Sequence, residues 1–197
     1  MAARMKTGAT YEDLLRLPDN MIGELIDGEL YASPRPGGPH ARFTSALGML
    51  IGSRYDIGIN GPGGWWILDE PELHLGSDNV VPDLAGWRRE RMPTIPKGHI
   101  FTIAPDWICE TLSTSNAVYD RRKKLPVYAR HGVPYVWIAD PIHRGVEVLQ
   151  LIDGRWILLG IYDESDAFAA EPFPLAEIDL PLIWRAMPRD EAPPSTT

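Results

Sequence analysis

Asp83 and Glu110 are the residues whose surroundings call most strongly for chemistry. Each falls in a run that reads as a β-strand, VVPDLAGWR and IAPDWICETL. Alternate residues of a strand share a face, so Asp83 goes with Val81 and Ala85, and Glu110 with Ile108 and Leu112. Both carboxylates therefore interrupt apolar faces. A buried carboxylate is costly unless it is paired, hydrogen-bonded or bound to a cation. Two readings meet that demand: structural ion pairs with Arg121 or Arg122, or a divalent ion shared by the two acids. Neighbouring carboxylates repel, and a hard cation such as magnesium or manganese relieves the repulsion while leaving positions for water and a phosphate oxygen. The basic run DRRKK at 120–124 follows on a helix. An ammonium from it can orient or deprotonate an attacking water, or neutralise charge that builds on phosphorus oxygens.

The elements that must hold these groups are legible in outline. Thr10 before YEDLLRL caps a short helix that Pro18 and Asp19 stop. Asp27-Gly28 between two apolar runs predicts a two-residue hairpin turn joining strands at about 22–26 and 29–33. Phe43, Ala46, Leu47, Leu50 and Ile51 recur at helical spacing and place a helix over about 39–54. WWILDEPELHL and VVPDLAGWR then read as two consecutive strands, and IAPDWICETL as a third that is buried at the centre of the sheet. A helix over about 122–131 comes next, with Pro126 in its first turn or at a kink, and Gly132 ends it. YVWIAD supplies a further strand, and GVEVLQLIDGRWILLG a closing hairpin around Asp153-Gly154. The expected fold is α/β: a mixed sheet flanked by helices, with an added N-terminal hairpin and one right-handed parallel crossover over 105–140. One domain is expected over 1–187, with a disordered Pro-, Ser- and Thr-rich tail over 188–197.

Composition narrows the setting. The 197 residues, 44% of them hydrophobic, suffice for a packed core. The single cysteine, Cys109, excludes an internal disulfide framework or a cysteine-rich zinc cluster. MAARMKTGAT contains no signal-peptide-like run and no stretch approaches a membrane span, so a soluble cytoplasmic protein is expected. With 27 acidic residues against 19 Lys and Arg, the net charge of −8 opposes approach to nucleic acid. The bunched cations at Arg88, Arg89 and Arg91 and at 121–124 leave room for a local basic groove. Cys109 points away from Glu110 and reads as core packing. Trp65 and Trp66 read as alternate rings packing the core and a partner subunit. The glycines at 37–38 and 61–64 are turns.

Taken together, VPD at 81–83, ICETLS at 108–113 and DRRKKLPVYARHGVPYVWIADP at 120–141 resemble the PD-(D/E)xK nuclease superfamily. With GELIDGEL near the start and a helix opening at His40, the chain is similar more narrowly to the Uma2 family, a large group of small bacterial proteins classed with restriction endonucleases. The likeness covers roughly residues 10–160. It implies a restriction-endonuclease-like fold in which Asp83 and Glu110 are metal ligands and the Thr111 carbonyl a third. The superfamily's lysine normally lies two residues after the glutamate, where this chain has Leu112. In the narrower family a lysine on the next helix takes its place, in a pattern that Lys124, Leu125 and Tyr128 match. Lys123 is the rival; Lys124 is preferred because it stacks with Asp120 and Tyr128 at four-residue spacing. Glu24 matches a glutamate of the family's N-terminal strand and would add another acid. His40, where a helix begins, is a candidate for phosphate contact or proton transfer. Ser113 and Asn116 cap the next helix or touch phosphate, capping being preferred.

The leading expectation is thus a magnesium- or manganese-dependent endonuclease acting on DNA. A homodimer is expected as well, since the terminal hairpins offer apolar strand edges and duplex cleavage needs two sites. Two alternatives stand beside it: a catalytically inactive dimeric binding module of the same fold, and a hydrolase of small phosphodiesters.

Overall fold

The computed structural model describes residues 2–114, 116–166, 169–174 and 178–187. The tail expected at 188–197 lies outside them. In chain order the strands are β1 (Ala3–Thr7), β2 (Met21–Ile26), β3 (Glu29–Pro34), β4 (Trp65–Asp69), β5 (Glu72–Leu75), β6 (Asp78–Val80), β7 (Leu84–Arg88), β8 (Ile100–Phe101), β9 (Trp107–Thr111), β10 (Tyr135–Asp140), β11 (Gly145–Ile152) and β12 (Arg155–Asp163). They form two six-stranded mixed sheets, ordered β1-β3-β2-β6-β5-β8 and β12-β11-β10-β9-β7-β4.

Turn chemistry explains the hairpins. Asp27 and Gly28 have φ of 52° and 73°, and Asp153 and Gly154 have 49° and 74°. Two successive left-handed residues are what the tight turn matching strand twist requires. Both hairpins fall where expected. Instead of one sheet there are two, because the two expected strands at 65–88 break into four. Glu70 at φ 44° with Pro71 interrupts the first run, and Pro82, which has no N–H to give a ladder, interrupts the second. The chain consequently leaves β6 in the first sheet, turns through 81–83, and enters β7 in the second.

The helices are α1 (Tyr11–Leu14), α2 (Gly38–Ile51), α3 (Ala117–Tyr119), α4 (Leu125–Arg130) and α5 (Leu180–Arg185). At α1 the Thr10 amide donates to Asp13 Oδ2 at 2.9 Å, which satisfies one orphan donor of a single-turn helix. Helix α2 runs on as a wider π-helical turn, Gly52–Asp56. A second π-helical turn, Asp120–Lys124, links α3 to α4. In it the Leu125 amide reaches back to the Asp120 carbonyl, and Pro126 then sits in the first turn of α4, where its missing N–H does no harm. Gly132 at φ 71° closes α4, with the Val133 amide bonded to the Tyr128 carbonyl at 3.0 Å.

The second sheet is covered on both faces. On one, Phe43, Leu47 and Ile51 of α2 and Ile183 and Trp184 of α5 pack on Trp107, Cys109 and Trp137. On the other, Ile26, Tyr31, Leu73 and Val80 of the first sheet and Val127 and Tyr128 of α4 pack on Trp87, Ile108 and Ile138. Cys109 is core packing, as expected. Both rings of the Trp65-Trp66 pair are used within the chain: Trp65 is buried in the first cluster, while Trp66 donates to the Met92 carbonyl at 2.9 Å beneath the Arg89 guanidinium. The parallel pairing of β9 with β10 sets Glu110 beside Ile138 at the middle of the sheet. Among the described residues no helix is long and apolar enough to cross a membrane.

Candidate active site

The acidic residues converge where the two sheets meet. Asp83 is not inside a strand, as the sequence reading had it, but in the bend that leads into β7. Pro82 stops the ladder one residue earlier, which frees the Asp83 side chain to reach across to β9. There its Oδ2 accepts from the Thr111 amide at 2.6 Å. Glu110 stands on the β9 face that looks toward α4 and the first sheet, the face it shares with Ile108 and Leu112. Glu24 comes from β2, and its Oε1 accepts from the Val81 amide at 2.9 Å. The segment crossing between sheets is therefore tied at Val81 and Asp83 by site side chains.

Lys124, the last residue of the π-helical turn, occupies the centre. Its Nζ lies 2.8 Å from Glu110 Oε1 and 3.3 Å from Glu24 Oε1, and donates to the Val81 carbonyl at 2.9 Å. The side chains of Lys124 and Glu110 are 5% and 2% exposed, so this ion pair is desolvated. Tyr128 OH donates to Glu110, and Tyr119 OH donates to Glu24 Oε2 at 2.8 Å. His40 Nε2 lies 3.2 Å from Asp83 Oδ2. A cavity of about 450 Å³ opens among these groups and is also walled by Thr111, Ser113, Asn116 and Asp120.

Charge in the cavity is unbalanced. Burial, with the charges of Asp120, Asp83 and Glu24 behind it, pushes the Glu110 carboxyl well above the ordinary range despite the pull of Lys124. Burial likewise raises Asp120 to about 7, helped by Glu24 and Asp83. Burial opposes the charge on Lys124, but Glu110, Glu24, Asp120 and Asp83 together outweigh it and hold its pKa well above the usual value. Burial opposes the charge on His40 too, and is outweighed by Asp83, the Thr111 main chain and Asp120, so the imidazole titrates above its ordinary value. Among the described residues, four carboxylates thus face one ammonium, one imidazole and the exposed guanidinium of Arg35, which also pairs with Glu70. Among the described residues no three His, Cys, Asp or Glu side chains stand together as a ready-made metal cluster. The donor chemistry nevertheless fits a hard cation, because four carboxylates line one cavity in excess of the basic groups among them.

Of the residues singled out from sequence, Glu24, His40, Asp83, Glu110, Thr111, Ser113, Asn116 and Lys124 all line the cavity. Lys123 does not: it points to Glu29 at 3.4 Å, over the Tyr31 ring. The alternative pairing of the site acids with Arg121 is not formed, since Arg121 binds Glu147 at 2.9 Å, and Arg122 is exposed. Asn116 holds the N-cap position of α3 without capping it; its Oδ1 accepts from the Ala2 amide at 2.8 Å instead. Leu112, at the superfamily's usual lysine position, packs in the second core cluster. Asp120, Tyr119 and Tyr128 were not among the expected site residues. Asp120 and Tyr128 carried a signal, four residues either side of Lys124, whereas Tyr119 carried none.

Three comparisons with known proteins bear on this geometry. The model of the Uma2 family, described as "Putative restriction endonuclease", matches residues 10–182. No curated protein matches the chain. Among solved structures, one described as that of "a putative nuclease belonging to DUF820" from Anabaena variabilis is similar at a TM-score of 0.73 and 24% identity, over 90% of this chain and 98% of that one. The likeness is one of fold, and the restriction-endonuclease-like α/β arrangement expected from the sequence agrees with it.

Proposed function

Because the chain belongs to the Uma2 family, we propose that it is a metal-dependent endonuclease that hydrolyses phosphodiester bonds in DNA, acting in the cytoplasm as a homodimer. Asp83, Glu110 and the Thr111 carbonyl would hold magnesium or manganese, which supplies Lewis-acid polarisation of the phosphate and a more acidic attacking water. Lys124 stays protonated, because the surrounding acids hold its pKa high. It therefore orients the water, whose proton would pass to solvent in the open cavity, and neutralises charge gathering on phosphorus oxygens, rather than taking a proton. Glu24 and the Val81 carbonyl keep the ammonium aimed. Tyr128 fixes the Glu110 carboxylate and Tyr119 that of Glu24. His40, beside Asp83 and biased toward its charged form, would give a proton to the departing oxygen.

The observation that carries this reading is the buried Lys124 ammonium, 2.8 Å from Glu110 and 3.3 Å from Glu24, inside a cavity with two further acids. The test is cleavage of supercoiled, linear and single-stranded DNA by purified protein with magnesium or manganese, at low salt. Wild type should cut, chelator should stop it, and Glu110→Gln, Asp83→Asn and Lys124→Met should each slow it about 100-fold or more. Failure of wild type to cut any form of DNA with either metal would overturn the reading. A simple aryl phosphodiester, assayed in parallel, separates a nuclease from a small-substrate hydrolase. Calorimetric titration with manganese separates both from an inactive binding module, which has no carboxylate-dependent metal site.

A further inference from the structure

Among the described residues β12 forms one edge of the second sheet, and nothing in its composition protects that edge. Solvent-facing edge strands are usually kept short, interrupted by proline, or studded with charge, because a row of unpaired amides and carbonyls invites another strand. β12 is nine residues long, and its seven internal residues include neither a charge nor a proline. Ile157, Leu158, Leu159 and Ile161 are 43%, 49%, 43% and 64% exposed. Successive side chains of a strand point to opposite faces, so this run shows apolar surface on both, the pattern of a strand with neighbours on each side. One irregularity is present: β11 pairs Leu149 with Leu158 and Val148 with Gly160, which leaves Leu159 as a bulge near the middle.

The sequence of the strand says what would cover it. RWILLGIYD places a base at one end and an acid at the other, an aromatic ring just inside each, and aliphatic residues with one glycine between. Read backwards it has the same pattern with the charges exchanged. A two-fold interface requires one patch to complement itself. Antiparallel docking of β12 on β12 of a second copy brings Arg155 of each toward Asp163 of the other, whereas parallel docking sets like charges together. Asp163 is anchored for this by Ser165, whose amide and hydroxyl bind its Oδ1 at 2.8 and 2.6 Å.

We propose that two copies of this chain pair antiparallel through β12, joining their second sheets into one continuous sheet, and that this strand is the dimer seam. The inference rests on the homodimer of the proposed function and names its seam; it does not depend on catalysis, so a dimer that cuts no DNA leaves it standing while a monomer overturns it. Light scattering and sedimentation equilibrium on the full chain test it. Wild type should be a dimer at micromolar concentration. Leu158→Lys with Ile161→Lys should weaken association about tenfold or more. Because those side chains are exposed, thermal unfolding and circular dichroism should be little changed. Arg155→Glu and Asp163→Arg should each weaken the dimer several-fold, and the two together should restore it, an outcome that only antiparallel self-pairing predicts. A monomeric wild type overturns the proposal, as does a dimer untouched by the lysine substitutions or a charge swap without rescue.

Discussion

Lys124 is surrounded by more negative charge than it can neutralise, and single substitutions separate the consequences. Lys124→Met leaves Glu110 and Glu24 buried without a cation, and should cost about 3–5 kcal/mol in urea denaturation. Combining it with Glu110→Gln should cost clearly less than the sum, because both act on one ion pair. Asp120→Asn should do the opposite. The Asp120 carboxyl titrates near 7 in the fold, against about 4 in an unfolded chain. A raised folded pKa means that its stabilising contribution is full below pH about 4 and is lost as pH rises through about 7. The stability gained by Asp120→Asn, measured in chelator, should therefore be near zero at pH 4 and grow to about 2–4 kcal/mol at pH 8. Glu110 and Lys124 were legible in the sequence because a charge on an apolar strand face, or on a patterned helix face, is a local signal; Asp83 drew notice on the same ground, although it lies in the bend before β7 and not in a strand. The Tyr119 bond to Glu24 and the His40 contact with Asp83 join residues far apart in the chain, and no local pattern announces them.

At the scale of elements, the two tight hairpins, α2, the central β9 and the parallel β9–β10 step all follow from turn residues and periodicity. The division into two sheets does not. Pro71 and Pro82 were visible, but whether a proline bends a strand or sends it to another layer depends on what packs there. β1 and α5 were also not expected. β1 is exposed along its whole length and is held by its ladder to β3, while α5 is only six residues long and starts at Leu180 and Pro181. The layers are pinned together by Asp78 of β6, which accepts from the Asp27 amide at 3.0 Å and from Arg130 at 2.7 Å, with His131 at 3.1 Å. Burial raises the Asp78 pKa, but the Asp27 amide, His131 and Arg130 together win and lower it. Its contribution is thus present above pH about 4 and lost as pH falls below. Asp78→Asn should cost about 2–4 kcal/mol at neutral pH and less in acid, read from urea midpoints at several pH values. Gly132→Ala should cost about 1–2 kcal/mol with no change in the site, since only the left-handed turn after α4 is strained.

For the whole molecule, a net charge of −8 means that the body repels a polyanion. The same surplus makes the proposed cation a source of stability. Manganese at a hundredfold excess over its dissociation constant should stabilise wild type by about 2.7 kcal/mol, seen as a rise in thermal midpoint. Asp83→Asn with Glu110→Gln should abolish the rise while leaving the fold intact. A rise that survives the double substitution would place the ion elsewhere.

The main chain of Val81 belongs to the passage between the two layers, yet its N–H and its carbonyl are both claimed by side chains of the cavity, the first by Glu24 and the second by Lys124. Chemistry and architecture share one link of backbone there. Deuterium uptake at that single amide thus becomes a gauge of the cavity's electrical state: loading with manganese should change it, and Glu24→Gln should make it exchange faster while the interior of β9 stays protected.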